Sequence, residues 1–202
     1  VYELYKQHGG MEILQLLDEL LIFGAYPEVM NSNSANDKIE YLLSIRDSYL
    51  FKDVLELENL RNPAKLTDLL KLLAFQIGNE VSLSELSNQL GIAKQSVERY
   101  LDLLEKTFII KKVGGFARNL RKEIVKTARY YFWDNGIRNA IINNFNPLDQ
   151  RNDTGMLWEN FMFMERLKTK EYKRIFANNY FWRTYDRQEI DLVEEREGKL
   201  FG

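Results

Sequence analysis

The segment 81–115 constrains the fold of this chain most strongly, because it contains two amphipathic helical patterns on either side of a glycine. Ser82 and Glu85 form the pattern of a capping box, in which each side chain hydrogen-bonds to the backbone at a helix start. Gly91 is expected to make the sharp turn into the second helix. The β-prone run 108–113 then ends at a pair of glycines. The segment therefore predicts a helix-turn-helix followed by the first strand of a wing.

Apolar spacing indicates which face of each helix is buried. The residues that recur at helical spacing and are expected inside are Leu83, Leu86, Leu90, Ile92, Val97, Leu101 and Leu104. This packing turns the polar residues of the second helix outward, where a recognition helix would meet a major groove: Lys94, Gln95, Ser96, Glu98, Arg99 and Asp102. Together with the wing, the candidate nucleic-acid-binding residues are Lys94, Gln95, Arg99, Lys111, Lys112, Arg118, Arg121 and Lys122.

Charge is unevenly distributed along the chain, although the net charge is only −2. Residues 1–93 contain 7 Lys and Arg against 14 Asp and Glu, a net −7, whereas residues 94–129 contain 10 against 4, a net +6. Acids of the second helix (Glu98, Asp102 and Glu105) offset its own bases, so the positive excess lies mainly in Lys111, Lys112, Arg118, Arg121, Lys122, Lys126 and Arg129. A basic wing predicts weak, sequence-independent contact with the phosphates of duplex DNA.

Composition excludes several classes of protein. The chain contains no cysteine, so disulfides and thiolate metal sites are excluded and a cytosolic location is favoured. No apolar run approaches the roughly 18 residues of a membrane helix, so no membrane partner is expected. No phosphate-binding loop of the Gly-x-x-x-x-Gly-Lys-Ser/Thr type is present. The first residue is Val1 rather than Met, which indicates a piece of a longer protein.

The rest of the chain predicts an α+β fold in three segments. Helices are expected over 11–23, 38–58 and from Pro63 onward, with a strand over 126–134 that closes the wing and a helix over 136–144 that Asp134 caps. After a linker over 143–155, the pattern predicts a helix over 156–168 and strands over 172–176, 180–185, 188–195 and from Leu200. The predicted domains are thus a helical segment over 1–62, a winged helix-turn-helix over 63–142 and an α/β domain over 155–202.

Two acidic residues of the last segment occupy apolar surroundings. Glu159 has apolar neighbours three residues before it and three and four residues after it, and Asp191 interrupts an apolar strand. Carboxylates at the edge of an apolar core repel each other and lose solvation unless a cation or basic group lies between them. Mg²⁺ prefers such oxygen ligands, so Glu159 and Asp191 are candidate metal-binding and catalytic residues. In the alternative, Glu159 pairs with Arg183 or Arg187, and Asp191 ends a surface hairpin.

Six short stretches occur in the same order in a known family: Phe23–Val29 (FGAYPEV), Tyr49–Val54 (YLFKDV), Tyr131–Arg138 (YFWDNGIR), Gly155–Asn160 (GMLWEN), Tyr180–Thr184 (YFWRT) and Glu189–Val193 (EIDLV). Together they resemble the C-terminal region of prokaryotic AAA-type ATPases that contain a domain of unknown function. The resemblance implies an ATPase core upstream of this chain, which alone would bind ATP, with residues 1–30 ending its helical lid. It also implies a winged helix and a terminal restriction-endonuclease-like domain of the PD-(D/E)xK type.

In that nuclease pattern, Glu159 would match the helix carboxylate and Asp191 the strand carboxylate, and both would hold Mg²⁺ in the complete protein. The Glu-x-Lys of the pattern would lie on a strand that begins at Leu200 and is cut off, so the nuclease-like domain is expected to be truncated and this chain alone to be inactive. If the site were complete, the metal would activate a water for phosphodiester hydrolysis.

Two functional hypotheses follow. The first is a nucleic-acid-interacting accessory region of a cytosolic AAA-type ATPase, with duplex DNA and the protein's own ATPase domain as partners. The second is a protein-interaction or regulatory module with a degenerate nuclease fold and no catalysis. A basic wing distinguishes them, since an interaction module has no need of it. The nucleic-acid target, the cellular process and the oligomeric state stay open.

Overall fold

A computed structural model describes residues 2–53, 63–116, 127–183 and 188–202, and its elements are mixed helices and strands. The helices are α1 (Tyr2–Phe23), α2 (Pro27–Asn31), α3 (Ala35–Ile45), α4 (Pro63–Phe75), α5 (Leu83–Leu90), α6 (Lys94–Lys106), α7 (Asn135–Ile142) and α8 (Thr154–Tyr172), with a π-helical segment at Arg46–Asp53 and a 3₁₀ turn at Leu148–Gln150. The strands are β1 (Glu80–Val81), β2 (Ile110–Gly115), β3 (Ala128–Phe132), β4 (Asn178–Arg183), β5 (Glu189–Arg196) and β6 (Lys199–Phe201). The predicted α+β class is confirmed. Within these ranges, every helix is too short or too polar to span a lipid bilayer.

The chain forms two compact units that alternate along the sequence. The first contains residues 1–61 and 134–161, and the second contains residues 62–133 and 162–202. The strands expected in separate domains over 63–142 and 155–202 belong to one sheet of the second unit, since β2 pairs with β4. The three domain boundaries drawn from the sequence stay a prediction.

In the first unit, polar side chains bind α7 to the end of α1. Asp134 caps α7, as predicted, by accepting a hydrogen bond from the backbone N–H of Ile137 at 3.1 Å. The other oxygen of Asp134 accepts from the N–H of Ala25 at 2.7 Å. Asn139 donates to the carbonyl oxygens of Leu21 and Ile22 at 3.2 and 2.8 Å. These bonds satisfy backbone groups that a helix end leaves without partners.

Two glycines allow this close approach. Gly24 has a φ of +76°, and a Cβ there would lie 2.0 Å from the Oδ1 atom of Asp134. A Cβ at Gly136 would lie 2.0 Å from the carbonyl oxygen of Phe23. The positive φ and the absent side chain both require glycine at position 24. Packing within the first unit therefore explains Gly24 of the stretch FGAYPEV and Gly136 of the stretch YFWDNGIR.

In the second unit, the helices predicted around Gly91 are present. Gly91 has a φ of +64° and ends α5 in the left-handed conformation. Ser82 occupies the N-cap position, but its side chain makes no capping hydrogen bond, so the predicted capping box is wrong. The acid at N3, Glu85, instead accepts from the side chain of Gln89 at 3.3 Å. Of the predicted apolar residues, Leu86, Leu90, Val97, Leu101 and Leu104 are buried, while Leu83 and Ile92 are half-buried.

The sheet of the second unit has the strand order β1-β3-β2-β4-β5-β6. All neighbouring strands are antiparallel except β2 and β4, which are parallel. Its core is a cluster of buried residues: Val113, Tyr131, Phe163, Met164, Leu167 and Phe181. The rings of Tyr131 and Phe163 stack with centroids 4.3 Å apart, which packs α8 against β3. The strand that the sequence predicts over 126–134 is present as β3, which pairs with β2.

The strand predicted over 172–176 is wrong. Helix α8 continues to Tyr172, and Arg174 then adopts a φ of +53°. The side chains of Tyr172 and Phe176 are 89% and 90% exposed, so these β-prone rings pack on no strand in the part of the chain that the structure describes. The helix predicted over 38–58 is present as α3 and the π-helical segment as far as Asp53, and its remainder lies outside the described residues.

We predict that Gly136→Ala lowers the free energy of unfolding by about 1–3 kcal/mol, because the new methyl group meets a backbone oxygen that cannot move away easily. Urea denaturation measures this change. The matched control is Gly155→Ala, where a Cβ would meet nothing within 4 Å. That variant is expected to leave the stability unchanged or to raise it by up to about 1 kcal/mol. Equal effects of the two variants would contradict the close packing at Phe23.

We predict that Leu101→Ala lowers the free energy of unfolding by about 2–5 kcal/mol, since it removes a buried side chain and leaves a cavity. Leu101 is 5% exposed on α6. Leu14→Ala is the control, because Leu14 is 63% exposed. A decrease below about 1 kcal/mol for Leu101→Ala in urea denaturation would show that α6 does not pack as described.

Candidate functional site

The outer face of α6 carries the predicted recognition residues. Lys94, Gln95 and Arg99 are exposed, as the apolar spacing predicts. The buried side chains of Val97 and Leu101 orient the helix, so these three polar residues face away from the core. The three lie in the first half of α6, which is the part of a recognition helix that reaches base edges in helix-turn-helix proteins.

Acidic side chains neutralise part of the basic charge around α6. The ammonium of Lys106 lies 2.7 Å from a carboxylate oxygen of Asp102. Lys111 lies 3.0 Å from Glu105, which also accepts a hydrogen bond from the backbone N–H of Lys112 at 3.3 Å. The side chain of Lys112 is exposed. The remaining wing candidates Arg118, Arg121 and Lys122 lie outside the described residues. Among the described candidates, therefore, Lys111 contributes less net charge than the sequence suggests.

Arg129 is buried in the second unit between two carboxylates. It is 3% exposed, and its guanidinium lies 2.9 Å from Asp191 and 2.5 Å from Glu189. Its charged group also lies over the ring of Phe181, with 4.6 Å to the ring centroid. Burial would lower the pKa of Arg129, but the hydrogen bonds to Glu189 and Asp191 outweigh it and raise the pKa. The charge of Arg129, which counts toward the basic window in the sequence, is therefore used inside the protein.

The ion pairs of Arg129 continue into a longer chain of charges. Arg183 lies 3.7 Å from Glu189 and donates a hydrogen bond to Glu80 at 3.1 Å. Glu80 also accepts from the hydroxyl group of Thr127. Burial alone would raise the pKa of Glu80, but the hydrogen bonds from Thr127 and Arg183 lower it. Alternating charges thus connect β1, β3, β4 and β5. Arg183 pairs with Glu80 and Glu189, while Arg187, the other partner that the sequence offers for Glu159, lies outside the described residues.

The carboxylates near Asp191 do not fit a Mg²⁺ site as they stand. Both Asp191 and Glu189 bind Arg129, which already supplies the positive charge that a metal would bring. Within the described ranges, no group of three or more His, Cys, Asp or Glu side chains is arranged to hold a metal ion. Glu159 is half-buried on α8 in the first unit, whereas Asp191 belongs to the second unit. The shared metal site of Glu159 and Asp191 stays a prediction.

The first unit contains a buried polar cluster that sequence reasoning missed. Arg138 is 1% exposed and donates to Asp153, which also binds Arg151 at 2.8 Å. Burial alone would raise the pKa of Asp153, but the hydrogen bonds from Arg151 and Arg138 outweigh it and lower the pKa to about 2. Perturbed buried groups can mark functional sites, but both arginines here are bound to the same carboxylate, which favours a structural role. Asp153 lies in the segment predicted as a linker, so the only feature of the sequence that could have indicated this ion pair is the short spacing between Arg151 and Asp153.

The helices of the first unit and the mixed sheet of the second define an α+β protein. Residues 14–148 match a family described as a domain of unknown function, DUF8612, and since this is more than half of the chain, the protein belongs to that family. Residues 154–202 match a second domain of unknown function, DUF4143.

Similar proteins occur in bacteria and archaea. An uncharacterized protein of Mycobacterium tuberculosis is 25% identical over 189 residues, which cover 92% of this chain and 42% of that protein. An uncharacterized protein of Methanocaldococcus jannaschii is 24% identical over 96% of this chain and 43% of its own length. An uncharacterized protein of Haemophilus influenzae is 26% identical over 70% of this chain and 33% of its own length. The chain thus spans about two fifths of the length of the first curated relatives. No solved structure matches it significantly.

We predict that Mg²⁺ does not raise the thermal unfolding midpoint of this chain, because a ligand stabilises the folded state only if it binds there. Arg129 lies 2.9 Å from Asp191 and already supplies positive charge beside its carboxylate. Differential scanning fluorimetry with and without MgCl₂ measures the shift. Asp191→Asn is the comparison: a rise in the midpoint that this variant abolishes would support the metal-site hypothesis and contradict this prediction.

Proposed function

We propose that the second unit binds duplex nucleic acid through a winged helix-turn-helix. The observation that carries the proposal is the order of its elements, α4-β1-α5-α6-β2-β3, in which β1, β3 and β2 pair as an antiparallel sheet. In a winged helix, the second helix of the turn is the recognition helix and the last two strands form the wing. Helix α6 and the β2–β3 hairpin occupy those positions.

The exposed side chains of α6 suit contact with a phosphate backbone. Lys94 and Arg99 supply positive charge, and the amide of Gln95 can both donate and accept hydrogen bonds. Lys112 adds an exposed cation on β2. Glu98 and Asp102 share the outer face of α6 and repel phosphates. The proposed binding is therefore weak, sensitive to salt and without sequence preference.

We further propose that this region acts as an accessory to an ATPase domain of a longer prokaryotic protein. The domain matched by residues 154–202 is often found at the C-termini of ATPases. The relatives are more than twice as long as the part that this chain covers, which leaves room for such a domain in them. ATP would bind there, and the region described here would supply the contact to nucleic acid. The α8–β4–β5–β6 segment is then the proposed nuclease-like portion, for which the ion pairs of Arg129 favour a non-catalytic role.

The alternative is a protein-interaction or regulatory module without nucleic-acid binding. The observation that favours it is the acidic content of the α6 face, where Glu98 and Asp102 lie among the proposed phosphate contacts. The two functions differ in a measurable way. Phosphate contacts release counterions, so affinity for duplex DNA falls steeply with salt, whereas an interaction module shows no such duplex binding.

We predict weak duplex binding whose dependence on salt is reduced in the triple variant Lys94→Gln, Arg99→Gln and Lys112→Gln. The slope of log affinity against log salt should decrease by roughly 0.9 for each phosphate that the variant no longer neutralises. Fluorescence anisotropy with a labelled duplex between about 50 and 200 mM salt measures the slope. The control is Lys71→Gln with Lys199→Gln, which removes exposed cations on α4 and β6.

Two results would contradict the proposed function. One is an equal change of slope in the triple variant and in the control, which would show that only total charge matters. The other is the absence of duplex binding at about 50 mM salt, which would favour the protein-interaction module. Circular dichroism confirms that each variant keeps its helices, so that weaker binding is not the result of unfolding.

A further inference from the structure

A cleft of about 960 Å³ lies within the second unit. Of the residues that the sequence suggests for nucleic-acid contact, Lys111 lines it, whereas Lys94, Gln95, Arg99 and Lys112 do not. Its walls come from the end of α8, the segment 173–177 and the turn between β5 and β6, together with Phe108 and Trp133. Neither the proposed duplex contacts nor the ion pairs of Arg129 account for this cleft.

Aromatic rings project into solvent at this cleft. Phe176 is 90% exposed and Phe108 is 71% exposed, although large apolar side chains are usually buried. The ring of Phe108 lies edge-on to that of Trp133, with centroids 5.7 Å apart, which gives it a defined orientation. Phe108 also has a φ of +55°, a conformation that bulky residues rarely adopt. The backbone thus holds an exposed ring where a ligand with a flat face could stack.

Two arginines of the cleft, Arg174 and Arg196, suit an anionic ligand. The lining contains four cationic residues (Lys111, Lys170, Arg174 and Arg196) and three acidic ones (Glu171, Glu195 and Glu197), and Lys111 is already paired with Glu105. Lys170 is held in place by Asn179 and by the carbonyl oxygen of Ala177, and Arg196 lies over the ring of Phe201. Arg174 is exposed two residues after α8 ends and two residues before Phe176. The cleft therefore combines exposed rings with the guanidinium groups of Arg174 and Arg196.

We propose that this cleft binds a single-stranded segment of nucleic acid. Unpaired bases would stack on Phe108 and Phe176, and Arg174 and Arg196 would neutralise the adjoining phosphates. Bases in a duplex already stack on each other and offer no open face, so the exposed rings suit a single strand. Stacking accepts every base, and the binding is therefore without sequence preference. The cleft residues Phe108, Phe176, Arg174 and Arg196 act independently of Lys94, Arg99 and Lys112.

The test uses a fluorescent oligothymidylate of about ten nucleotides, a length within the range that stacking clefts accommodate. Phe176→Ala and Phe108→Ala should each weaken its binding by about 5- to 150-fold, the equivalent of removing one stacked base. Phe176→Tyr keeps a ring and should restore most of the affinity. Phe75→Ala is the matched control, because Phe75 is 64% exposed on α4 and does not line the cleft.

The outcomes separate this inference from the proposed duplex binding. If the cleft variants bind oligothymidylate as the parent chain does, or if the parent chain shows no binding at about 50 mM salt, the inference is overturned. If only the cleft variants fail to bind oligothymidylate and only the α6 triple variant fails to bind duplex, both proposals stand. Failure of the α6 triple variant alone to bind oligothymidylate would place single-strand binding on α6 and also overturn the inference. A protein ligand that Phe176→Ala releases, without any oligonucleotide binding, would assign the cleft to a protein partner instead.

Discussion

The buried guanidinium of Arg129 is the interaction on which the second unit depends most. A buried charge without partners destabilises a fold by several kcal/mol, so Arg129 requires its carboxylates in place. Those carboxylates, Asp191 and Glu189, lie on β5, which is not a neighbour of β3 in the sheet order. The ion pairs therefore connect the two antiparallel parts of the sheet, whose backbone contact is the short parallel pairing of β2 and β4. The same pairs give Asp191 a structural partner in place of a metal ion.

Local features of this fold could be predicted from the sequence, and non-local charge pairing could not. The helices around Gly91 and the cap at Asp134 depend on residues within a few positions of each other, so periodicity and capping patterns indicate them. Arg129 pairs with a residue 62 positions away, and a count of charges gives its sign but not its partner. The strand predicted over 172–176 is wrong because β propensity reflects packing on a neighbouring strand, and no described strand lies against these exposed rings.

The two proposed nucleic-acid surfaces of the second unit use different physics. The face of α6 offers charged and amide groups that suit a regular backbone of phosphates, and its affinity depends on counterion release. The cleft at Phe108 and Phe176 offers rings that suit unpaired bases, and its affinity depends mainly on stacking. The sequence indicated the first surface through polar residues at helical spacing. The sequence did not indicate the cleft, because the residue type of a phenylalanine does not reveal whether its ring is exposed or buried.

The close contact between Phe23 and Gly136 has a consequence for how the polypeptide is synthesised. The first unit contains residues 1–61 and 134–161, and residues 62–133 of the second unit lie between these two parts in the chain. During synthesis, more than a hundred residues are therefore added after α1 before Gly136 is available to pack against it. The second unit is likewise completed only by residues 162–202. Each unit is therefore made of two separate stretches of the chain, and a chain that ends within residues 62–133 lacks part of both units.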